Sequence, residues 1–126
     1  MNEPDKAHSK GLRGEEKALE YLLSLGMELV AARYHSRYGE IDLIMRDGEG
    51  VAFVEVKSRT RGSKGDGFLS ITRKKQLRLI RTAQCYLAMH GSDAVMRFDA
   101  IEITPAGVQY IKNAFEAWDP SLGQAD

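Results

Sequence analysis

The chain has 126 residues, 43% of them hydrophobic and 29% charged, with cations and acids in equal number. That is enough apolar material for one core and too little length for two ordinary domains, so one folded domain rather than wholesale disorder is the expectation. No apolar run approaches the roughly 18–20 residues of a bilayer-spanning helix, the start Met1-Asn2-Glu3-Pro4-Asp5-Lys6 is charged rather than greasy, and the lone Cys85 can form no internal disulfide. A cytoplasmic protein with no membrane partner is the expectation.

The elements follow in chain order. Ala18, Leu19, Leu22 and Leu23 keep helical spacing and Gly26 supplies a stop, which predicts a helix over Ser9–Leu25. Residues 1–8 read as a flexible N-terminus. Met27–Tyr34 reads as a weak strand, and Glu40–Arg46 and Val51–Ser58 as strong ones, rich in Ile, Val and Phe. Asp47-Gly48-Glu49-Gly50 between the strong pair is a turn signal, so the two should form a hairpin. Residues 59–69 carry Gly62, Gly65 and Gly67 and read as a mobile loop. A second helix is predicted over Thr72–Met89, then strands over Met96–Thr104 and Val108–Lys112 around Pro105-Ala106-Gly107. A single domain should span residues 1–113, with a tail over 114–126. The order αβββαββ implies an α/β domain, a mixed sheet with helices able to cover both faces.

Charge is unevenly spread along this neutral chain. Residues 57–90 hold nine cations and a single acid, Asp66, whereas the rest holds nine cations against seventeen acids. Such segregation points to a polyanionic partner. On the second helix Leu77, Ile80, Ala83, Gln84 and Leu87 make the predicted apolar face. Lys74, Lys75, Arg78 and Arg81 lie on or beside the opposite one, mostly in the N-terminal half, where the helix dipole disfavours positive charge. An anion would relieve that conflict; a merely solvated face is the plainer alternative.

Three acids stand out. Glu15 falls near the middle of the first helix's apolar stripe, where a charge needs compensation or an exit to solvent. On the hairpin, closure about Gly48-Glu49 pairs residues whose numbers sum to 97, so Asp42 should face Glu55, and Glu40 should face Lys57. Opposed side chains sit roughly 4.5–5.5 Å apart at Cβ, and two carboxylates that close repel. Both acids lie inside apolar runs, where idle charge is disfavoured. A divalent cation such as Mg²⁺ would reward the arrangement. A cross-strand salt-bridge cluster neutralised by Lys57 is the structural alternative.

Gly14-Glu15, Gly39-Glu40-Ile41-Asp42-Leu43-Ile44, Phe53-Val54-Glu55-Val56-Lys57-Ser58-Arg59, Lys75-Gln76 and Arg97-Phe98-Asp99 together resemble the YraN-like uncharacterised protein family of bacteria (uncharacterised protein family 0102). That family is similar in turn to the PD-(D/E)XK nucleases and the archaeal Holliday-junction resolvases. The resemblance implies a restriction-endonuclease-like fold, a central mixed β-sheet flanked by helices on both faces. It implies a metal-dependent nuclease acting on DNA in repair or recombination, or alternatively a non-catalytic nucleic-acid-binding protein on a nuclease scaffold. Carried over by position, Asp42, Glu55 and Glu15 would hold Mg²⁺ or Mn²⁺. Lys57 completes the E-x-K, and Gln76 is the accessory polar residue of the catalytic set. Ile41 stands where the superfamily signature has proline. Arg59, Arg61, Lys64, Lys74, Lys75 and Arg78 would grip phosphates, and cutting both strands of a junction would call for a homodimer.

Overall fold

The computed structural model describes residues 6–59, 71–90 and 95–118, with side chains of the first helix from Gly14 onward. The elements are α1 (Lys6–Ser24), β1 (Glu28–Ser36), β2 (Gly39–Asp47), β3 (Gly50–Ser58), α2 (Arg73–His90), β4 (Met96–Thr104) and β5 (Gly107–Phe115). The order is the expected αβββαββ. The expected loop beyond Arg59, with Arg61 and Lys64, lies outside the described residues. So do positions 1–5 of the expected flexible N-terminus and the end of the tail, 119–126. Three boundaries move by two residues or more: positions 6–8 are already helical, β1 continues to Ser36, and β5 runs on through Phe115 into the expected tail.

All five strands join one sheet in chain order. Hairpins make β1–β2, β2–β3 and β4–β5 antiparallel, whereas the crossover containing α2 returns β4 parallel to β3. A mixed sheet is the direct result. Because strand side chains alternate, each face acquires its own core. Ala18 and Leu22 of α1 pack with Met27, Leu43, Met45, Ala52, Val54, Ile101 and Ile103 on one face. Leu79, Ile80, Ala83 and Tyr86 of α2 pack with Ile41, Ile44, Val51, Phe53 and Phe98 on the other.

Two helix faces differ from the sequence expectation. On α1, Leu23 is 46% exposed, and the stripe narrows to Ala18 and Leu22 with Leu19 and Tyr21 against it. On α2 the buried face carries Leu79, Thr82 and Tyr86 beside Ile80 and Ala83, and Gln84 points to solvent. A wheel that counts Thr and Tyr as polar misplaces this face. Here the Tyr86 ring meets Tyr34 and Phe53 edge-on, at centroid distances of 5.3 and 5.9 Å, and the Thr82 hydroxyl is paired with Ser36 Oγ at 2.8 Å.

Beneath α1 the fully buried Asp99 carboxylate ties β4 to β5. Arg97 Nε donates to both of its oxygens at 3.0 and 3.1 Å, and Asn113 N donates at 2.8 Å. Tyr110 OH donates a further bond to it. Arg97 also reaches Asp47 at 2.8 Å, at the turn between β2 and β3. The Arg97-Phe98-Asp99 run thus has a structural explanation. It fixes the irregular end of β5, where Asn113 takes a left-handed backbone with φ of 57°.

Gly14 governs how α1 meets the sheet. A Cβ at this position would lie 2.7 Å from Ser58 Cβ and 2.8 Å from Ser58 Oγ, at the end of β3. Ser58 Cβ is fixed by its backbone and cannot swing away as a long side-chain tip could, so only glycine allows this approach. Gly14→Ala is therefore expected to destabilise the fold by about 1–3 kcal/mol, despite the better helix propensity of alanine. Ser58→Gly, which vacates the space, should restore most of the loss. Urea unfolding of the single and double variants measures both effects.

Candidate functional site

The β2–β3 register runs Asp47↔Gly50, Arg46↔Val51, Met45↔Ala52, Ile44↔Phe53 and Leu43↔Val54, the pairing that symmetric closure predicts. The ladder then stops, immediately before Asp42 and Glu55. Instead of ladder pairing, the Asp42 carboxylate accepts the Val56 backbone N–H at 2.8 Å. The expected Glu40–Lys57 pair does not form, because the strands have parted there. Glu40 meets His35 across β1 at 3.5 Å.

β1 breaks at the same level. Ala32 pairs with Leu43 and Tyr34 with Ile41, but Arg33, between them and opposite Asp42, stands in a left-handed conformation with φ of 54°. In a regular antiparallel pair, opposed residues share a face. The left-handed residue frees Arg33 to reach α1, where its Nε donates to Glu15 Oε2 at 2.9 Å. Asp42 meanwhile serves the α2 side. Ile41 and Ile44 both join the α2-side core, a spacing that strict alternation forbids, so the pleat of β2 is also broken around Asp42.

The parted strands and the first turns of α2 enclose a cleft of about 210 Å³ lined by Gly39, Glu40, Asp42, Glu55, Lys75, Arg78 and Leu79. Thr72 starts α2 as its N-cap, its Oγ1 accepting the Lys75 N–H at 3.2 Å. This cap sets Lys75 above the cleft, and its Nζ lies 3.3 Å from Glu55 Oε1. Lys57 follows two residues beyond Glu55 on β3, with its amine beside that of Lys75. The neighbouring Lys75 ammonium first, and burial second, hold the Lys57 amine below the usual lysine range, although Glu55 works in the opposite direction.

Asp42 carries the largest perturbation in the cleft. Burial comes first and the Glu55 charge second in pushing its carboxyl up to about 7, with smaller contributions from Glu15 and Glu40. The Val56 N–H pulls the other way and is outweighed. The arrangement therefore stores electrostatic cost at one point, which is characteristic of functional sites.

The structure brings Asp42, Glu55 and Lys75 into one cleft, with Arg78 on its wall and Lys57 beside Lys75. Glu15 does not line the cleft. Its carboxylate is held by Arg33, and only its field reaches Asp42. Gln76 is committed elsewhere: its Nε2 donates to the Ile71 carbonyl, and its Oε1 accepts Trp118 Nε1, each at 3.2 Å. The second of these bonds clasps the chain beyond β5. Of the expected phosphate-gripping residues, Arg59 lies 3.7 Å from the buried Glu102 and Lys74 is exposed. Among the described residues no group of three His, Cys, Asp or Glu is preassembled for a metal. Sequence reasoning missed Glu102, which lies beside Lys57 in the parallel β3–β4 register, and the Arg33 partner of Glu15. Helical and strand periodicity carries no signal for either.

Fold and site together define a mixed α/β domain whose sheet opens onto an acid pair beside a cationic helix. The family model described as "Uncharacterised protein family UPF0102" matches residues 14–103, and the chain belongs to that family. It is 47% identical over 109 residues to a "UPF0102 protein" of Alkalilimnicola ehrlichii, covering 85% of this chain and 86% of that one. It is 39% identical over 121 residues to a "UPF0102 protein" of Chromohalobacter salexigens, covering 93% and 98%. No helix among the described residues is long and apolar enough to cross a membrane.

The Asp42 proton gives a test of the site without any ligand. Between about pH 4 and 7 the native carboxyl keeps a proton that the unfolded chain, with an ordinary pKa near 3.8, has released. Raising the pH through that window favours the unfolded state, so stability should fall, by at most about 4 kcal/mol in total. Asp42→Asn keeps an acceptor for Val56 N–H and removes the charge. It should be more stable than the parent at pH 8, with the advantage vanishing near pH 4. Denaturant unfolding across this range measures the difference.

Proposed function

We propose that this protein is a metal-dependent phosphodiesterase acting on nucleic acid, DNA in particular, built on a restriction-endonuclease-like fold. The observation that carries the reading is the Asp42–Glu55 pair at the mouth of a parted hairpin, where Glu55 and burial push Asp42 up to about 7. An acid pair held at that cost, with Lys75 and Arg78 on the opposite wall, suits a site that receives a cation and an anion together. The five-stranded mixed sheet with a helix on each face supports the fold assignment.

The donor set fits a hard divalent cation. Mg²⁺ takes oxygen ligands, commonly one or two protein carboxylates, and keeps several waters. Asp42 and Glu55 supply two carboxylates, and Glu15 is a third once released from Arg33. Bound there, Mg²⁺ or Mn²⁺ would supply Lewis acidity and charge neutralisation at the scissile phosphate. The chain's own residues do the rest. Lys75 and Arg78 hold the non-bridging phosphate oxygens. Lys57, on the same side of β3 as Glu55, orients the attacking water and stabilises the charge that develops on phosphorus.

A second reading, a non-catalytic nucleic-acid-binding protein, has a specific observation in its favour. Glu55 and Glu15 already have protein cations, Lys75 at 3.3 Å and Arg33 at 2.9 Å. A site closed by its own salt bridges would bind phosphates without cutting them.

Mn²⁺ titration followed by melting temperature, then a cleavage panel over junction, flap, single-stranded DNA and RNA, separates the readings. The phosphodiesterase predicts a metal-induced rise in melting temperature that Asp42→Ala abolishes. It also predicts cleavage that Glu55→Ala removes while DNA binding persists. Salt-sensitive binding with neither metal stabilisation nor cleavage would leave the non-catalytic reading standing.

A further inference from the structure

The turn between β1 and β2 carries Arg37 and Tyr38, and it is fastened to α2 with unusual care. Ser36 Oγ pairs with the fully buried Thr82 Oγ1 at 2.8 Å and accepts the Tyr38 N–H at 3.0 Å. Gly39, which follows, lies so close to α2 that an added Cβ would touch Arg78 Cβ at 3.6 Å and Thr82 Oγ1 at 3.8 Å. The turn therefore stands in a fixed place against the helix. Since Gly39 and Glu40 line the acid-pair cleft, Arg37 and Tyr38 lie one step outside its mouth.

At that place the Tyr38 ring collects two guanidinium groups. Arg37 lies 4.9 Å from the ring centroid and donates from Nη2 to the Tyr38 hydroxyl at 2.7 Å. Arg81, from α2, lies 5.4 Å from the same centroid. Cation–π contact with a tyrosine weakly immobilises each guanidinium without neutralising it. Neither arginine has a carboxylate partner among the described residues, whereas Arg33, Arg59, Arg97 and Lys112 each do. Two ordered, uncompensated guanidiniums suit oxyanions that arrive from outside, because each fork can offer two N–H groups to one phosphate.

Their placement also gives a direction. Lys74, Arg78 and Arg81 are spaced i, i+4, i+7 on α2 and form one stripe about 10 Å long. One flank of the stripe borders the cleft at Arg78, and its far end reaches Tyr38. We propose that Arg37, Tyr38 and Arg81 form a phosphate clamp outside the cleft, which holds the backbone of a nucleic-acid strand as it leaves the acid pair along α2. The clamp rests on the phosphodiesterase reading for the identity of its ligand. It reads no base and serves to fix the strand's path.

The test is fluorescence anisotropy with a fluorescein-labelled flapped DNA duplex, titrated across salt concentrations. Loss of two phosphate contacts in Arg37→Ala/Arg81→Ala should reduce the slope of log affinity against log salt by about 1.5, at roughly 0.7–0.9 per contact. Each single variant should show about half of that. Lys17→Ala, an exposed cation on α1, should leave the slope unchanged, and circular dichroism should show the double variant folded. A folded double variant that binds with the parental slope overturns the clamp and leaves the phosphodiesterase reading intact. A parent protein without salt-dependent DNA binding overturns both.

Discussion

The site depends on two carboxylates held where a hairpin stops being a hairpin. Up to Leu43 and Val54 the strands exchange backbone hydrogen bonds; one residue further, a side chain takes over, with Asp42 accepting the Val56 N–H at 2.8 Å. A backbone donor to a carboxylate is worth roughly 1.5–3 kcal/mol and favours its charged form. Here burial and the neighbouring Glu55 charge outweigh that bond, since the carboxyl is driven up rather than down. Lys75 relieves part of the cost by meeting Glu55. Asp42 has no comparable cation at hydrogen-bond distance among the described residues. The strain therefore concentrates on one carboxyl at the cleft mouth.

Everything around the pair serves to keep it there. Opposite Asp42, the left-handed backbone of Arg33 sends that side chain to α1, so β1 does not quench the acid. Gly14 lets α1 lie against Ser58 closely enough to bring Glu15 within electrostatic reach. On the other face Thr72 caps α2, and Gln76 clasps Trp118, whose ring also lies 3.9 Å below the Arg73 guanidinium. These contacts fix the first turns of the helix, and with them Lys75 and Arg78.

Much of this was legible in the sequence, for identifiable reasons. The element order and the hairpin register follow from Ile- and Val-rich runs flanking Asp47-Gly48-Glu49-Gly50, and a register summing to 97 needs only a symmetric turn. The convergence of Asp42 and Glu55 was legible for the same reason. What failed was whatever depends on interruption of a period. Periodicity presumes an unbroken ladder, so it paired Glu40 with Lys57, which the parting strands prevent. It also treats Thr82 and Tyr86 as polar, although a hydroxyl with a buried partner sits in a core at little cost. The partners of Gln76 were not legible, because the fate of an amide depends on who arrives from elsewhere in the chain. Trp118, forty-two positions on, could not be foreseen as its partner. The restriction-endonuclease-like assignment rests on the motif resemblance, while the mixed sheet and its two helix-covered faces are visible directly.

The cations divide along the same line. Those beneath α1 and at the strand ends are matched: Arg33 to Glu15, and Arg97 to Asp47 and Asp99. Those around α2, namely Arg37, Arg73, Lys74, Arg78 and Arg81, have no carboxylate partner among the described residues, and two of the helical ones sit in its first turn, where the dipole repels them. Surface ion pairs are worth so little that their absence costs the fold almost nothing. Unrelieved positive charge at a helix N-terminus, by contrast, costs a few tenths of a kcal/mol per residue. Stability therefore gives no reason to place cations there and a small reason against it. The nucleic acid proposed above would supply the missing reason, because a polyanion gains from every guanidinium that has no partner already. The matched arginines hold the sheet together, and Arg78, which has no carboxylate partner among the described residues, lines the cleft.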